Sequence, residues 1–168
     1  MSYGFSDHIH RYAVWTAARA VQRNFTTTKR IQTAIESSGL ADFLSNPIVD
    51  QNAFDKWHIE TAEQIIYQFG GEAECSYGRA AKIIGIYLKT AWVIRHPEDD
   101  IVSLVIHPPL DRILLQELAK GKSFPNLKEL ASKSWTQFDK TGYWDVVKII
   151  RLSGAPFYWR LEKDWNLN

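Results

Sequence analysis

Lys82 and Asp111 are the two side chains of this sequence whose types and setting are suited to covalent chemistry. Lys82 lies in SYGRAAKIIGIYLK, where the apolar residues Ala81, Ile84, Ile86, Leu88, Trp92 and Val93 run almost all the way round a helix and mark it as a central element. A lysine on such a helix either snorkels its ammonium to the rim or is desolvated. Desolvation favours the neutral amine, which is a nucleophile. Asp111 follows His107-Pro108-Pro109-Leu110, a stretch held extended because each proline locks φ and disfavours helix in the residue before it. An aspartate there either caps the helix that follows or is a carboxylate positioned for chemistry. Lys89 lies two turns beyond Lys82 on nearly the same face and 22 positions before Asp111, which makes it a second candidate nucleophile.

The elements that must bring these residues together are helices. Met1–Phe5 is expected to be a loose end, and Ser6-Asp7 to cap a helix running to about Arg23, with alanines that allow close packing. Thr26-Thr27-Thr28 caps a second helix to about Ser38, closed by Gly39, with Ile31 and Ile35 on its buried side. After a connection containing Pro47, a long helix spans about Gln51 to Phe69, anchored by Phe54, Trp57, Ile65, Ile66 and Phe69. Gly70-Gly71 breaks it and Ser76 caps the lysine-bearing helix. His96–Asp100 is a charged turn, and Ile101–Ile106 a helical turn or extended connection. Helices follow over Arg112–Lys120, Leu127–Ser134 and Tyr143–Leu152, the last preceded by a turn at Lys140-Thr141-Gly142. The aromatic tail Pro156–Trp165 is expected to pack back as a last helix that helps wall a pocket. This is an all-α fold of seven or eight helices in one domain over residues 1–168, with no internal repeat, P-loop or GxGxxG.

Other residues bear on binding. Arg19 and Arg23 are four apart on one helix face and can hold a phosphate backbone, or form an ordinary solvated or carboxylate-paired stripe. Trp57-His58 offers a stacking ring beside a group that titrates near neutral pH, or simply core plus rim. The five histidines show no metal-ligand spacing, and a lone cysteine, Cys75, excludes an internal disulfide and a CxxC zinc site, so neither metal nor cofactor is expected. The cysteine count and the absence of a signal-like start point to a reducing, cytoplasmic setting.

With 168 residues, 45% of them hydrophobic, the chain can bury its own core. A formal net charge of +1 provides no global field towards nucleic acid or membrane, so any basic surface is local. The stretch Ala80–Ile94 is interrupted by Lys82 and Lys89 and is too short for a bilayer.

The succession GRAAKIIGIYLK…HPPLDRILLQEL resembles the catalytic core of the helix-hairpin-helix DNA glycosylase superfamily, in particular its 8-oxoguanine glycosylase branches. In that family a glycine-containing hairpin leads into a lysine-bearing helix, and an aspartate opens a later one. Gly78, Lys82 and Asp111 match those positions over about the middle quarter of the chain. The separation of 29 positions is longer than in the commonest members and closer to the archaeal ones. An LPGVG-type hairpin and an iron–sulfur cysteine cluster are missing, and Gly70-Gly71 is displaced. The motifs WTAARA, YGRAAK, YLK and HPPLD also resemble a bacterial family of small proteins that carries no assigned activity.

The glycosylase resemblance implies a damaged base flipped from DNA, Lys82 attacking the sugar C1′, and Asp111 stabilising the oxocarbenium ion. Trp15, Trp57 or Trp159 would stack on the base, Gln22 would read its edge, and Arg19, Arg23, Arg79 and Lys89 would meet phosphates. The alternative is a non-catalytic helical module that binds nucleic acid or a protein partner through its aromatic tail, with homo-oligomerisation open. In a purely structural protein Lys82 snorkels and Asp111 only caps.

Overall fold

The computed structural model describes residues 3–121 and 123–165. Among the described residues seven α-helices follow one another: α1 (Phe5–Val21), α2 (Thr28–Ser37), α3 (Gln51–Phe69), α4 (Tyr77–Ala91), α5 (Arg112–Lys120), α6 (Leu127–Ser132) and α7 (Lys140–Leu152). Short 3-10 turns lie at Leu40–Leu44, Val93–Arg95, Trp135–Gln137 and Trp159–Asp164. No strand occurs among the described residues.

The caps follow from local chemistry. The side chains of Thr27, Asp50, Ser76, Asp111 and Asp139 each accept the N–H of the residue three positions on, satisfying a donor that the helix itself leaves open. At α1 the expected Ser6-Asp7 cap is corrected. Gly4 is the cap residue, and Asp7 reaches back from the first turn to accept the Gly4 N–H at 2.8 Å. The expected loose end over 1–5 lies partly outside the described residues. The turn expected at Lys140-Thr141-Gly142 is the first turn of α7, because Asp139 accepts the Gly142 N–H and starts the helix three residues earlier. The tail beyond Pro156 is a 3-10 turn rather than an α-helix.

One hydrophobic core draws residues from every α-helix. At its centre is α4, with α1 packed along it through the fully buried Ala13, Ala17 and Ala18 and α3 on another side. Small side chains let the backbones of α1 and α4 approach closely. Ile31, Ile35, Phe54 and Ile65 are completely buried, as their helical spacing requires. No helix among the described residues is long and apolar enough to cross a membrane.

Candidate functional site

One face of α4 carries Gly78, Lys82, Gly85 and Lys89, spaced four, three and four residues apart. The two glycines decide what lies on either side of Lys82. A β-carbon on Gly78 would meet the Trp135 carbonyl oxygen at 2.0 Å, and one on Gly85 would meet Pro109 at 3.1 Å. The Trp135 turn and the Pro108-Pro109 segment therefore press directly on the helix backbone, one near each end of the lysine. The Gly78 N–H donates to the Phe138 carbonyl at 2.9 Å, and the Ser76 hydroxyl donates to the Thr136 carbonyl at 2.7 Å, fastening the Trp135 turn in place.

Two residues beyond Pro109 the chain reaches Asp111, whose Oδ2 lies 3.9 Å from Lys82 Nζ. Its Oδ1 accepts the Leu114 N–H at 2.8 Å, so the cap and the charged partner are the same residue. Lys82 is buried, 9% exposed, and its ammonium stands 4.2 Å from the centre of the Trp135 ring. Burial lowers the lysine's pKa from its ordinary value, and the Asp111 charge opposes this. The rim position expected of a snorkelling lysine is not adopted.

The segment that carries Asp111 is held from behind by a buried polar chain. The Trp144 indole N–H donates to the Tyr77 hydroxyl at 3.0 Å, and Tyr77 lies 3.2 Å from His58 Nδ1. His58 Nε2 is 3.5 Å from the Tyr143 hydroxyl, which is 2.9 Å from His107 Nδ1. His107 Nε2 is 3.0 Å from Asp55 Oδ1, and Arg151 grips both oxygens of Asp55 at 2.6 and 3.0 Å. With both histidines neutral and protonated on Nε2, the chain runs from donor to acceptor as Tyr77 O–H to His58 Nδ1, His58 Nε2–H to Tyr143, Tyr143 O–H to His107 Nδ1, and His107 Nε2–H to Asp55, with Arg151 Nη2 also 3.1 Å from His107 Nε2 and directed to Asp55 Oδ1. Burial lowers the pKa of His58 and of His107, in keeping with that assignment. Burial works against ionisation of Asp55, yet hydrogen bonds from His107 and Arg151 hold its carboxyl far below the usual carboxylate range. His107 immediately precedes Pro108-Pro109, so α3 and α7 together anchor the strut that delivers Asp111.

Beside the pair, the Trp159–Asp164 turn lies against α4 and the start of α5. Glu162 accepts from Lys89 at 2.7 Å, and the Trp165 indole N–H donates to Asp111 Oδ2 at 3.1 Å. Burial raises the pKa of Glu162, and the bond from Lys89 opposes this. Lys89, Trp159 and Glu162 line a groove of about 690 Å³ with Val93, Ile94, His96 and Arg160 around it.

The other sequence-derived candidates are placed elsewhere. Trp15 is half-exposed on α1 and stacks on Tyr12, and Trp57 packs on Phe43 and Phe54 at the rim of the core. Gln22 accepts from the Thr28 hydroxyl at 2.5 Å and ties α1 to the start of α2. Arg19 and Arg23 are exposed, while Arg79 lies over the Phe25 ring at 4.6 Å with its Nε buried and without a hydrogen-bond partner. Gly78 sits in the first turn of α4; the hairpin between α3 and α4 is built instead by Gly70 and Gly71, at φ of 98° and 120°. No group of three or more His, Cys, Asp or Glu able to hold a metal occurs among the described residues.

Trp135, Glu162, Trp165 and the His58–His107 chain escape a reading of the sequence, since each acts across a long chain separation. One signal was available: two glycines seven apart on one apolar helix, with a lysine between them. No family model matches the chain, and no curated protein and no solved structure matches it.

Proposed function

We propose that this protein is a DNA glycosylase of the helix-hairpin-helix type that removes an 8-oxoguanine-type base, with Lys82 as nucleophile and Asp111 as its assisting carboxylate. The observation that carries the reading is the convergence of a buried lysine amine and a cap-fixed carboxylate at 3.9 Å, reached across 29 positions of sequence. Burial favours the neutral amine required for attack. As the bond from C1′ to the base breaks, its electron pair leaves with the base. Asp111 stabilises the positive charge left on the sugar, and the Lys82 lone pair forms the new bond to C1′. The Lys82 nitrogen then gives one proton to the departing base anion, and its lone pair forms the C=N bond as the C1′–O4′ bond breaks and O4′ takes a proton from water, which leaves a protonated Schiff base. The groove beside Trp159 is lined by Lys89 and Glu162 and by neither Lys82 nor Asp111; it offers an aromatic face and a volume within the range of small-ligand sites for the flipped base. Arg19, Arg23 and Arg79 supply local positive charge for phosphates on a chain with no global excess.

The test is borohydride trapping on a duplex containing 8-oxoguanine. The unmodified chain and Lys89→Ala form a covalent DNA adduct, and Lys82→Ala does not. The reverse pattern transfers the nucleophile to Lys89, and no adduct with any chain overturns the enzyme reading.

The non-catalytic module is favoured by one observation: Asp111 already serves as the cap of α5. It predicts salt-sensitive DNA affinity, or capture of a protein partner, that Asp111→Asn leaves unchanged.

A further inference from the structure

Asp111 Oδ2 has two suitors. Lys82 Nζ stands 3.9 Å away, beyond the roughly 2.7–2.9 Å of a charge-assisted hydrogen bond. The Trp165 indole N–H is within hydrogen-bond distance at 3.1 Å. Among the described residues, Lys82 Nζ makes no hydrogen bond at all, and its near neighbour is the face of Trp135. The other oxygen is committed to the Leu114 N–H. Taking Lys82 as the nucleophile proposed above, we propose that Trp165 is a positioning residue: its indole N–H holds Asp111 Oδ2 short of a close ion pair, which leaves the Lys82 amine free to attack.

The physical argument is one of competition. A carboxylate that accepts a neutral N–H has part of its charge satisfied and its rotamer fixed, so it stabilises a nearby ammonium less than a free carboxylate does. Without the indole, Asp111 can swing the remaining ångström on to Nζ and hold the proton there. The charged groups around Lys82 are few. Asp111 comes from the start of α5, Lys89 from the same helix, and Glu162, engaged by Lys89, from the turn that carries Trp165. The Trp135 turn contributes a ring and no charge at this point. Trp165 contributes an N–H to Asp111 and no charge.

Nuclear magnetic resonance of ¹³C,¹⁵N-lysine-labelled protein reads the Lys82 midpoint directly, and needs neither DNA nor turnover. In Trp165→Phe the midpoint rises by about one pH unit; in Trp165→His, which keeps an N–H donor, it stays nearer the unmodified value. Equal shifts in both variants, or no shift in the phenylalanine variant, overturn the inference. In the unmodified chain the Trp165 indole proton signal follows the same midpoint, and a flat signal overturns it even where a variant fails to fold. The pH profile of borohydride trapping then moves with the Lys82 midpoint. A resonance shift without any trapping leaves the tuning by Trp165 standing and removes the glycosylase reading alone.

Discussion

Gly78 lies so close beneath Trp135 that a β-carbon on it would sit 2.0 Å from the Trp135 carbonyl oxygen. The obstruction is backbone, so it cannot be relieved by a rotamer change. Gly78→Ala is therefore expected to lift the Trp135 turn off α4, break the Gly78–Phe138 hydrogen bond and destabilise the fold by roughly 1–3 kcal/mol. Gly85→Ala meets Pro109 at 3.1 Å, a contact that a shift of a few tenths of an ångström relieves, and costs less. Urea unfolding of the two variants orders them; Gly85→Ala as the more damaging change contradicts this account.

Asp111 combines a cap and a charge, and substitution separates them. Asparagine accepts the Leu114 N–H nearly as well as aspartate, but its NH2 then faces the Trp165 indole N–H and the Lys82 amine that Oδ2 now meets, so Asp111→Asn keeps the cap and is expected to cost about 1 kcal/mol, whereas Asp111→Ala loses the cap as well and costs about 1 kcal/mol more. On the glycosylase reading both variants lose most borohydride trapping, because neither stabilises positive charge at C1′. Full trapping by Asp111→Asn removes the carboxylate from the mechanism. Equal stability of the asparagine and alanine variants removes the cap.

Trp159 offers the aromatic surface of the groove that Lys89 and Glu162 also line. If a flipped base stacks there, Trp159→Ala weakens binding of damaged duplex by about 10- to 100-fold, corresponding to roughly 1–3 kcal/mol per stacked base. Trp15→Ala and Trp57→Ala leave that affinity near the unmodified value once stability is matched. A titration followed by fluorescence anisotropy distinguishes the three, and an equal loss in all of them shows that stacking is not confined to the groove.

Helical periodicity and capping chemistry carried the fold. Ser76, Asp111, the Gly70-Gly71 break and the buried isoleucines of α2 are visible because each is a local signal with a local consequence. The start of α7 was displaced because Gly142 resembles a turn residue, and only the Asp139 side chain, bonded to its N–H, makes it helical. The convergence of Lys82 with Asp111 could be posed from the sequence as a distance to be measured. Its supports could not: Trp135, Glu162 and Trp165 reach the pair through contacts 50 or more positions away, and no period in the sequence encodes such contacts. His58 illustrates the same limit. Next to Trp57 on a long helix it suggests a proton-transfer group, yet it is completely enclosed and committed to two tyrosines.

The buried chain from Trp144 to Asp55 makes stability depend on pH in two separate windows. His58 and His107 are kept neutral in the folded protein because burial lowers their pKa, while in the unfolded chain each takes up a proton near pH 6.5. Their contribution is therefore present above about pH 6.5 and is lost as the pH falls below it, with a slope of up to about 1.4 kcal/mol per pH unit for each histidine. Asp55, whose carboxyl is held low by His107 and Arg151, contributes above about pH 4, and that part is lost only as the pH falls through the carboxylate range. Denaturant unfolding at intervals between pH 7.5 and 5 is expected to show the histidine loss with Asp55 still ionised. Asp55→Asn leaves Arg151 without its anionic partner and is expected to cost about 2 kcal/mol or more at pH 7.5. It also slackens His107 and with it the Pro108-Pro109 strut, so borohydride trapping falls although Asp55 touches neither Lys82 nor Asp111. Stability that stays level from pH 7.5 to 5 shows that the histidines are not held neutral. Unchanged trapping in a folded Asp55→Asn protein shows that the strut does not depend on its rear anchor.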